Sequence, residues 1–218
     1  MTEDTTDVQR SVTSAALRAL RGNPFALAGS GAIREHGFIQ RMSRDVDLFS
    51  NDAASFGAAV DALVAVLSGE GYLVEEVRRY ESFAQLRLTT PEGRAVDVDL
   101  AVDWRSTEPV VLQVGPVLAV EDAVGSKVGA IYNRLEARDF IDVDAIRSSG
   151  RFSDDALLRM AEDRDDGFDR FVYAAQLRQV TRIRDGRFAD YGTTGPELSE
   201  LRSRIVSWSE DIDASHGG

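Results

Sequence analysis

The chain has 218 residues, of which 43% are hydrophobic and 28% are charged, so it is long enough and apolar enough to bury a sizeable core. It contains no cysteine and only two histidines, which excludes disulfides, thiolate catalysis and cysteine-bound zinc and leaves oxygen atoms as the expected ligands of any metal. The net charge of -12 argues against bulk electrostatic attachment to nucleic acid or to an anionic membrane. A polar N-terminus and the lack of a long apolar run predict a cytoplasmic protein with no membrane span.

The first third of the chain alternates between helical and strand-like patterns. Apolar residues at helical spacing predict a first helix, which ends at Gly22-Asn23-Pro24. Residues 25–28 then indicate a short buried strand, followed by a glycine turn and a short helix over 32–36. Alternation at period two predicts a strand over 45–49, and an amphipathic helix follows the cap residues Asn51-Asp52.

The rest of the chain changes from strands to helices near residue 120. Three strands are predicted over 72–77, 83–89 and 94–102, forming a mainly antiparallel region. The helical pattern that begins at Glu121 predicts helices over 122–135, 139–147, 154–162, 168–180 and 196–212. We therefore expect an α+β fold with a sheet domain over residues 1–120 and a helical C-terminal portion over 121–218.

Two carboxylates stand two residues apart on the strand predicted at 45–49. Side chains at that spacing share one face of a strand, so Asp45 and Asp47 should project together while Val46 points into the core. Magnesium prefers oxygen ligands, commonly one or two carboxylates with substrate phosphates and water, so this pair could anchor a nucleoside triphosphate. Alternating acids on a solvated sheet face would give the same pattern without a function.

The same alternation recurs in the segment Asp97-Val-Asp99-Leu, on a strand expected to neighbour the first. A third carboxylate there would complete a two-metal site, in which one ion orients the α-phosphate and the other supports the departing pyrophosphate. We favour Asp99 because it precedes an apolar stretch as Asp47 does, although the spacing permits either residue.

A Gly29-Ser30-Gly31 turn lies between a predicted strand and the start of a predicted helix. Exposed backbone N–H groups and the positive end of a helix dipole can receive phosphate oxygens there, and the small side chains allow a close approach. Such a segment is more often only a turn, and its interest comes from its place shortly before the acidic strand.

Arginine has almost entirely replaced lysine, since Lys127 is the only lysine among 25 basic residues. A position that keeps lysine against this bias could need a compact ammonium group, although chance survival is the simpler alternative. Basic residues also cluster over 170–187, as a solvated helix face or as a local groove for RNA. The members of this cluster are Arg170, Arg178, Arg182, Arg184 and Arg187.

Several blocks of the sequence resemble the AbiEii/AbiGii-type nucleotidyltransferase toxins, which belong to the DNA polymerase β superfamily. The blocks are LAGSGAIREHG at 27–37, RMSRDVDLF at 41–49, VDL at 98–100, DAVGSK at 122–127, Arg134, and RDFIDV at 138–143. The resemblance covers residues 25–146 and implies a polymerase β-like mixed sheet flanked by helices.

The resemblance also implies roles for individual residues, in which Gly29 and Ser30 contact the triphosphate and Lys127 pairs with its phosphates. The magnesium ligands would be Asp45, Asp47 and Asp99. Asp139 matches an acidic motif at the edge of the active site, where it would orient Lys127. Asp142 shares a helix face with Asp139, as ordinary cap and surface acids also do. His36 and His216 are interpreted as a packing or capping residue and a tail residue.

Family members are usually the toxin of a toxin-antitoxin pair, and some transfer nucleotides to the 3' end of tRNA. The resemblance therefore implies transfer from a nucleoside triphosphate to tRNA, with an antitoxin as partner. One alternative is a nucleotidyltransferase that modifies a small molecule, as antibiotic-modifying enzymes do. Another is a nucleotide-binding module that has kept the fold without turnover.

Overall fold

A computed structural model describes residues 2–41, 43 and 45–215 of the chain, with side chains from residue 7 onwards. Met42, Arg44 and His216 therefore lie outside the described residues. The chain forms two compact units. The first contains residues 1–35 and 42–119, and the second contains residues 36–41 and 120–218.

The first unit is built on a mixed seven-stranded sheet with the strand order β3-β4-β5-β2-β1-β7-β6. Pairs β3–β4, β4–β5 and β1–β2 are antiparallel, whereas β2–β5 and β1–β7 are parallel. The strands are β1 Phe25–Leu27, β2 Asp45–Ser50, β3 Leu73–Arg79, β4 Phe83–Thr89, β5 Ala95–Val102, β6 Val110–Leu112 and β7 Gly115–Val117. The helices of this unit are α1 Thr2–Ala19, α2 Gly29–Glu35 and α3 Ala53–Gly69.

The two faces of this sheet differ because apolar and polar residues alternate along its strands. Val46 and Leu48 on β2, and Val98 and Leu100 on β5, are all buried on the face against which helices pack. The carboxylates between them lie on the other face and are half-buried. Asp52 begins α3, where its side chain accepts hydrogen bonds from two backbone N–H groups. The amphipathic pattern thus fixes which face of the sheet carries the acids.

Most predicted elements of this unit are confirmed, and β4 has the predicted bounds. The predicted antiparallel region corresponds to β3, β4 and β5. Strands β6 and β7 were not predicted, because each has three residues and, unlike the equally short β1, neither is an entirely buried apolar run. The short helix α2 begins at Gly29, three residues earlier than predicted, so the glycine turn forms its first turn.

The second unit is helical, as predicted. Its α-helices are α4 Val120–Asn133, α5 Ala137–Ser148, α6 Asp154–Glu162, α7 Arg170–Arg178, α8 Asp185–Ala189 and α9 Gly195–Ala214. Ser153 and Asp169 cap α6 and α7 with side-chain hydrogen bonds to backbone N–H groups. The core contains the fully buried Tyr173 and Trp208, whose rings meet edge to face at 5.5 Å. No helix among the described residues is long and apolar enough to cross a membrane.

Candidate active site

Parallel pairing of β2 with β5 brings three carboxylates together. Asp47 lies opposite Asp99 in the register, and Asp45 lies on the same face two residues before Asp47. Each of the three offers an oxygen, and these oxygens lie within 4.8 Å of one another. All three residues are half-buried.

The structure distinguishes the two acids on β5 by their partners. Asp97 accepts two hydrogen bonds from Arg87, from Nε at 2.8 Å and from Nη2 at 3.2 Å. Asp99 instead accepts a hydrogen bond from Gln85 Nε2 at 3.0 Å and joins the cluster with Asp45 and Asp47. An arginine therefore neutralises Asp97, whereas an uncharged amide orients Asp99.

Two neutral donors that the sequence analysis missed hold the carboxylates in place. Gln85 contacts Asp99, and Ser43 Oγ donates to Asp45 Oδ1 at 2.9 Å. Both donors are uncharged, so each orients the carboxylate it contacts without pairing it with a cation. The position of Gln85 could have been predicted from the tight turn between β4 and β5, because the register of that hairpin places Gln85 opposite Asp99. Nothing in the local sequence singles out Ser43.

Gly29 lies directly against the carboxylate cluster. A Cβ built on Gly29 would stand 1.8 Å from Asp47 Oδ2, and the residue has a φ of 56°, which favours glycine. Ala28 N–H also donates to the carbonyl oxygen of Asp47 at 2.8 Å. The glycine is therefore required for the chain before α2 to approach Asp47 so closely. Ser30 follows it and is buried.

The donor set fits a hard divalent cation. Three carboxylate oxygens converge, and no sulfur or imidazole group belongs to the group of possible ligands that the structure describes. Magnesium binds such oxygen ligands and usually keeps water or substrate phosphates in its remaining positions.

Lys127 belongs to a second charged cluster, in the helical unit. Its ammonium lies 2.9 Å from Asp142 Oδ2 and 3.4 Å from Asp139 Oδ1, and all three side chains are buried. Arg134 donates two hydrogen bonds to Asp139, at 3.0 and 3.2 Å. Arg41 donates two to Asp142, at 2.7 and 2.6 Å. The cluster thus contains three cations, Lys127, Arg134 and Arg41, and two carboxylates.

The reading of Asp142 as an ordinary surface or cap acid is wrong. Its side chain is fully buried and contacts two cations, Lys127 and Arg41. Burial raises the pKa of Asp142, but the two cations oppose this effect so strongly that the pKa lies below its ordinary value. Asp142 therefore stays charged and is the nearer of the two carboxylates to Lys127. The backbone carbonyl of His36 accepts a hydrogen bond from Arg151 at 2.8 Å, and the packing or capping role of its side chain stays a prediction.

The arginines over 170–187 are largely engaged in ion pairs. Arg170 pairs with Glu162 at 2.5 Å and with Asp155 at 2.9 Å. Arg178 pairs with Asp213 at 2.7 Å, and Arg187 with Glu136 at 2.5 Å. Because acidic partners compensate three of the five arginines, these three favour a solvated helix surface over a groove for phosphates.

The mixed sheet with adjacent acidic strands is the fold of polymerase β-like nucleotidyltransferases. Two solved structures that the chain resembles are JHP933 from Helicobacter pylori and the nucleotidyltransferase toxin MenT4 (Rv2826c) from Mycobacterium tuberculosis H37Rv. JHP933 shares 13% identity at a TM-score of 0.56, over 92% of this chain and 88% of that one. MenT4 shares 17% at a TM-score of 0.54, over 95% and 85%. No curated protein matches the chain in sequence.

A match to a protein-family model identifies the family of nucleotidyltransferases to which the chain belongs. Residues 14–206 match the family described as the nucleotidyl transferase AbiEii toxin of a type IV toxin-antitoxin system. This match covers most of the chain, which therefore belongs to the AbiEii family of nucleotidyltransferase toxins.

Proposed function

We propose that the protein transfers a nucleotide from a nucleoside triphosphate to the 3' end of tRNA and acts as the toxin of a toxin-antitoxin pair. The observation that carries this proposal is the convergence of Asp45, Asp47 and Asp99 beside a glycine that admits no side chain. Membership of the AbiEii family supports nucleotidyl transfer and an antitoxin partner.

In the proposed reaction the three carboxylates hold magnesium, which when bound supplies positive charge beside the triphosphate. Gly29 and Ser30 contact the triphosphate through the first turn of α2. The acceptor hydroxyl gives its proton to Asp99, and its oxygen forms a bond to the α-phosphorus. The bond from that phosphorus to the bridging oxygen breaks in line, and pyrophosphate leaves.

Lys127 has the proposed role of pairing with the phosphates, as a compact positive charge. Asp139 orients its ammonium, and the contacts of Asp142 with Lys127 add a second positioning group. In this scheme the nucleotidyltransferase core over residues 1–120 supplies the metal site. In the same scheme the helical portion over 121–218 supplies Lys127 and so completes the active site.

The direct test is incubation of the purified protein with labelled nucleoside triphosphates, magnesium and total tRNA. We expect label on RNA with the wild type and none with Asp45→Asn. Asp97→Asn is the matched control, because Asp97 has the same chemistry and lies on the same sheet face, yet pairs with Arg87. An equal loss of transfer activity in both variants would refute the assignment of Asp45, Asp47 and Asp99 as the metal-binding cluster.

The cellular role is tested by growth after induced expression. We expect the wild type to arrest growth in the cytoplasm of a bacterial host and Asp45→Ala to be harmless at equal protein level. A harmful Asp45→Ala protein would favour a binding module without turnover. Label on a purified small molecule with none on RNA would favour a small-molecule nucleotidyltransferase.

A further inference from the structure

The sheet face that carries the carboxylates continues beyond them across β4 and β3. Antiparallel register places Gln85 opposite Asp99 and Arg78 opposite Gln85, so these side chains form a row on one face. A neighbouring row contains Ala101 and Phe83, and its outer end is Tyr80, whose N–H donates to the carbonyl of Phe83 at 2.7 Å. The metal site thus opens onto a surface with an arginine and two aromatic rings.

A β-bulge directs Arg78 to this face. The register of β3 and β4 shifts between Glu76 and Arg78, so Arg78 takes the place opposite Gln85 that Val77 would otherwise hold. Arg79 points to the opposite face, where it bonds to Asp61 and to the carbonyl of Gly57 on α3. Arg78 is exposed and has no ion pair among the residues that the structure describes.

The two aromatic side chains form a platform at the tip of the β3–β4 hairpin. The rings of Tyr80 and Phe83 lie with centroids 6.4 Å apart and an interplanar angle of 32°. Tyr80 is 66% exposed, and Phe83 is half-buried. Tyr80 is too exposed for its ring to serve the core, so it is available to stack on a flat ligand.

The order of the strands indicates whether the surface on β3 and β4 lies on the triphosphate side or on the acceptor side of the site. Gly29 and Ser30 follow β1, on one side of β2, whereas Asp99 lies on β5, on the other side. In-line transfer places the departing pyrophosphate and the attacking hydroxyl on opposite sides of the α-phosphorus. If the triphosphate lies on the β1 side, the acceptor approaches from the side of β4 and β3.

We propose that Arg78, Tyr80 and Phe83 form the binding surface for the single-stranded 3' end of an RNA acceptor. Bases stack on the aromatic pair, and the Arg78 guanidinium binds a backbone phosphate. With strands about 4.8 Å apart, Arg78 lies roughly 10 Å from Asp99 across the sheet, which a dinucleotide spans. This inference rests on the proposed function, because it names the side of the same site that receives the acceptor.

Binding of a 5'-labelled single-stranded RNA, measured by fluorescence anisotropy without any nucleoside triphosphate, tests the surface alone. We expect Tyr80→Ala to weaken binding roughly 5- to 100-fold, as loss of a stacked base does. Arg78→Ala should weaken it and also reduce the slope of log Kd against log salt by about 0.7, because one phosphate contact is lost. Magnesium-dependent binding of labelled nucleoside triphosphate should be unchanged in both.

The matched controls are Arg21→Ala, an exposed arginine at the end of α1, and Phe171→Ala, an aromatic residue that is 50% exposed. Both should bind RNA like the wild type. Circular dichroism and melting curves check that every variant folds. Equal weakening in the controls, or wild-type RNA binding in both Arg78→Ala and Tyr80→Ala, would overturn the assignment.

Transfer assays separate this inference from the proposed function. If the wild type extends RNA and Arg78→Ala and Tyr80→Ala extend it at the same rate and KM, the platform is refuted while the function stands. If the wild type binds RNA through the platform and transfers nothing to it, the function is refuted while the platform stands. If the wild type neither binds nor extends RNA, both are refuted.

Discussion

Gly29 and Asp47 are in direct contact, although 17 residues separate them. A Cβ on Gly29 would overlap the Asp47 carboxylate, with 1.8 Å to Oδ2 and 2.7 Å to Cγ. The glycine turn and the candidate metal site are thus one structure, because the missing side chain lets the backbone of α2 reach the carboxylate. A phosphate held at that backbone would lie next to a cation held by Asp47.

Gly29→Ala should abolish transfer and destabilise the protein. The new methyl must displace the Asp47 carboxylate, and the positive φ adds the strain of a left-handed residue, about 1 kcal/mol. Gly22→Ala is the matched control, since Gly22 also has a positive φ of 90° and a Cβ there would meet nothing within 4 Å. It should lose a similar stability from strain and keep activity. Transfer assays and urea unfolding distinguish the two.

Gln85→Leu should lower kcat about tenfold with little change in stability. The substitution removes the hydrogen bond that orients Asp99 and leaves a half-buried side chain of similar size. The KM for the nucleoside triphosphate should change less than kcat, since Asp99 lies on the side proposed for the acceptor. Arg87→Leu breaks the neighbouring contact to Asp97 and should leave kcat near the wild-type value. Steady-state kinetics with both substrates varied would show an unaltered kcat in Gln85→Leu if that hydrogen bond were irrelevant.

The sequence predicts helices and strands with a clear periodic pattern well, because the pattern and the cap residues lie within the element itself. Helix α6 has the predicted bounds, and α3 begins after the predicted cap residue Asp52. Strands β6 and β7 were not predicted. Each has only three residues, and both depend on pairing with strands elsewhere in the sheet, β6 with β7 and β7 with β1. The predicted helix over 168–180 begins later, where Asp169 caps it, and ends in a 3-10 turn over Gln179–Arg182.

In the candidate site, too, the local sequence predicts some features, whereas others depend on contacts between distant parts of the chain. Period two places Asp45 and Asp47 on one face, and the structure has them there. The local pattern could not separate Asp97 from Asp99, because the choice depends on partners supplied by β4. Arg41 pairs with Asp142 across 101 residues, and no local pattern indicates such a contact.

Asp142→Asn should cost about 3–5 kcal/mol of unfolding free energy. The substitution removes one carboxylate from a buried cluster and leaves Lys127 and Arg41 without that compensating charge. Asp155→Asn is the matched control, because this exposed acid also contacts two cations, Arg159 and Arg170, where water screens the charges. It should change stability little. Urea unfolding at neutral pH measures both, and equal costs would contradict the importance of burial.

The cost of Asp142→Asn should depend on pH in a defined direction. The pKa of Asp142 in the folded protein lies below its ordinary value of 3.8, because two cations outweigh the effect of burial. Its ionised form therefore contributes stability above pH 3.8, and that contribution is lost as the pH falls towards the folded pKa. Unfolding curves of the wild type and the variant should converge as the pH decreases from 7 to about 3. A difference in stability that stays constant over this range would contradict the sign of the shift.

Magnesium should raise the melting temperature of the wild type by roughly 2 °C or more at saturating concentrations, since a ligand bound only to the folded state stabilises it. Asp45→Asn and Asp99→Asn should lose this response. Asp97→Asn should keep the response, since Arg87 and not the cluster binds that carboxylate. A full magnesium response in Asp99→Asn, or loss of the response in Asp97→Asn, would show that Asp99 is not the third metal ligand.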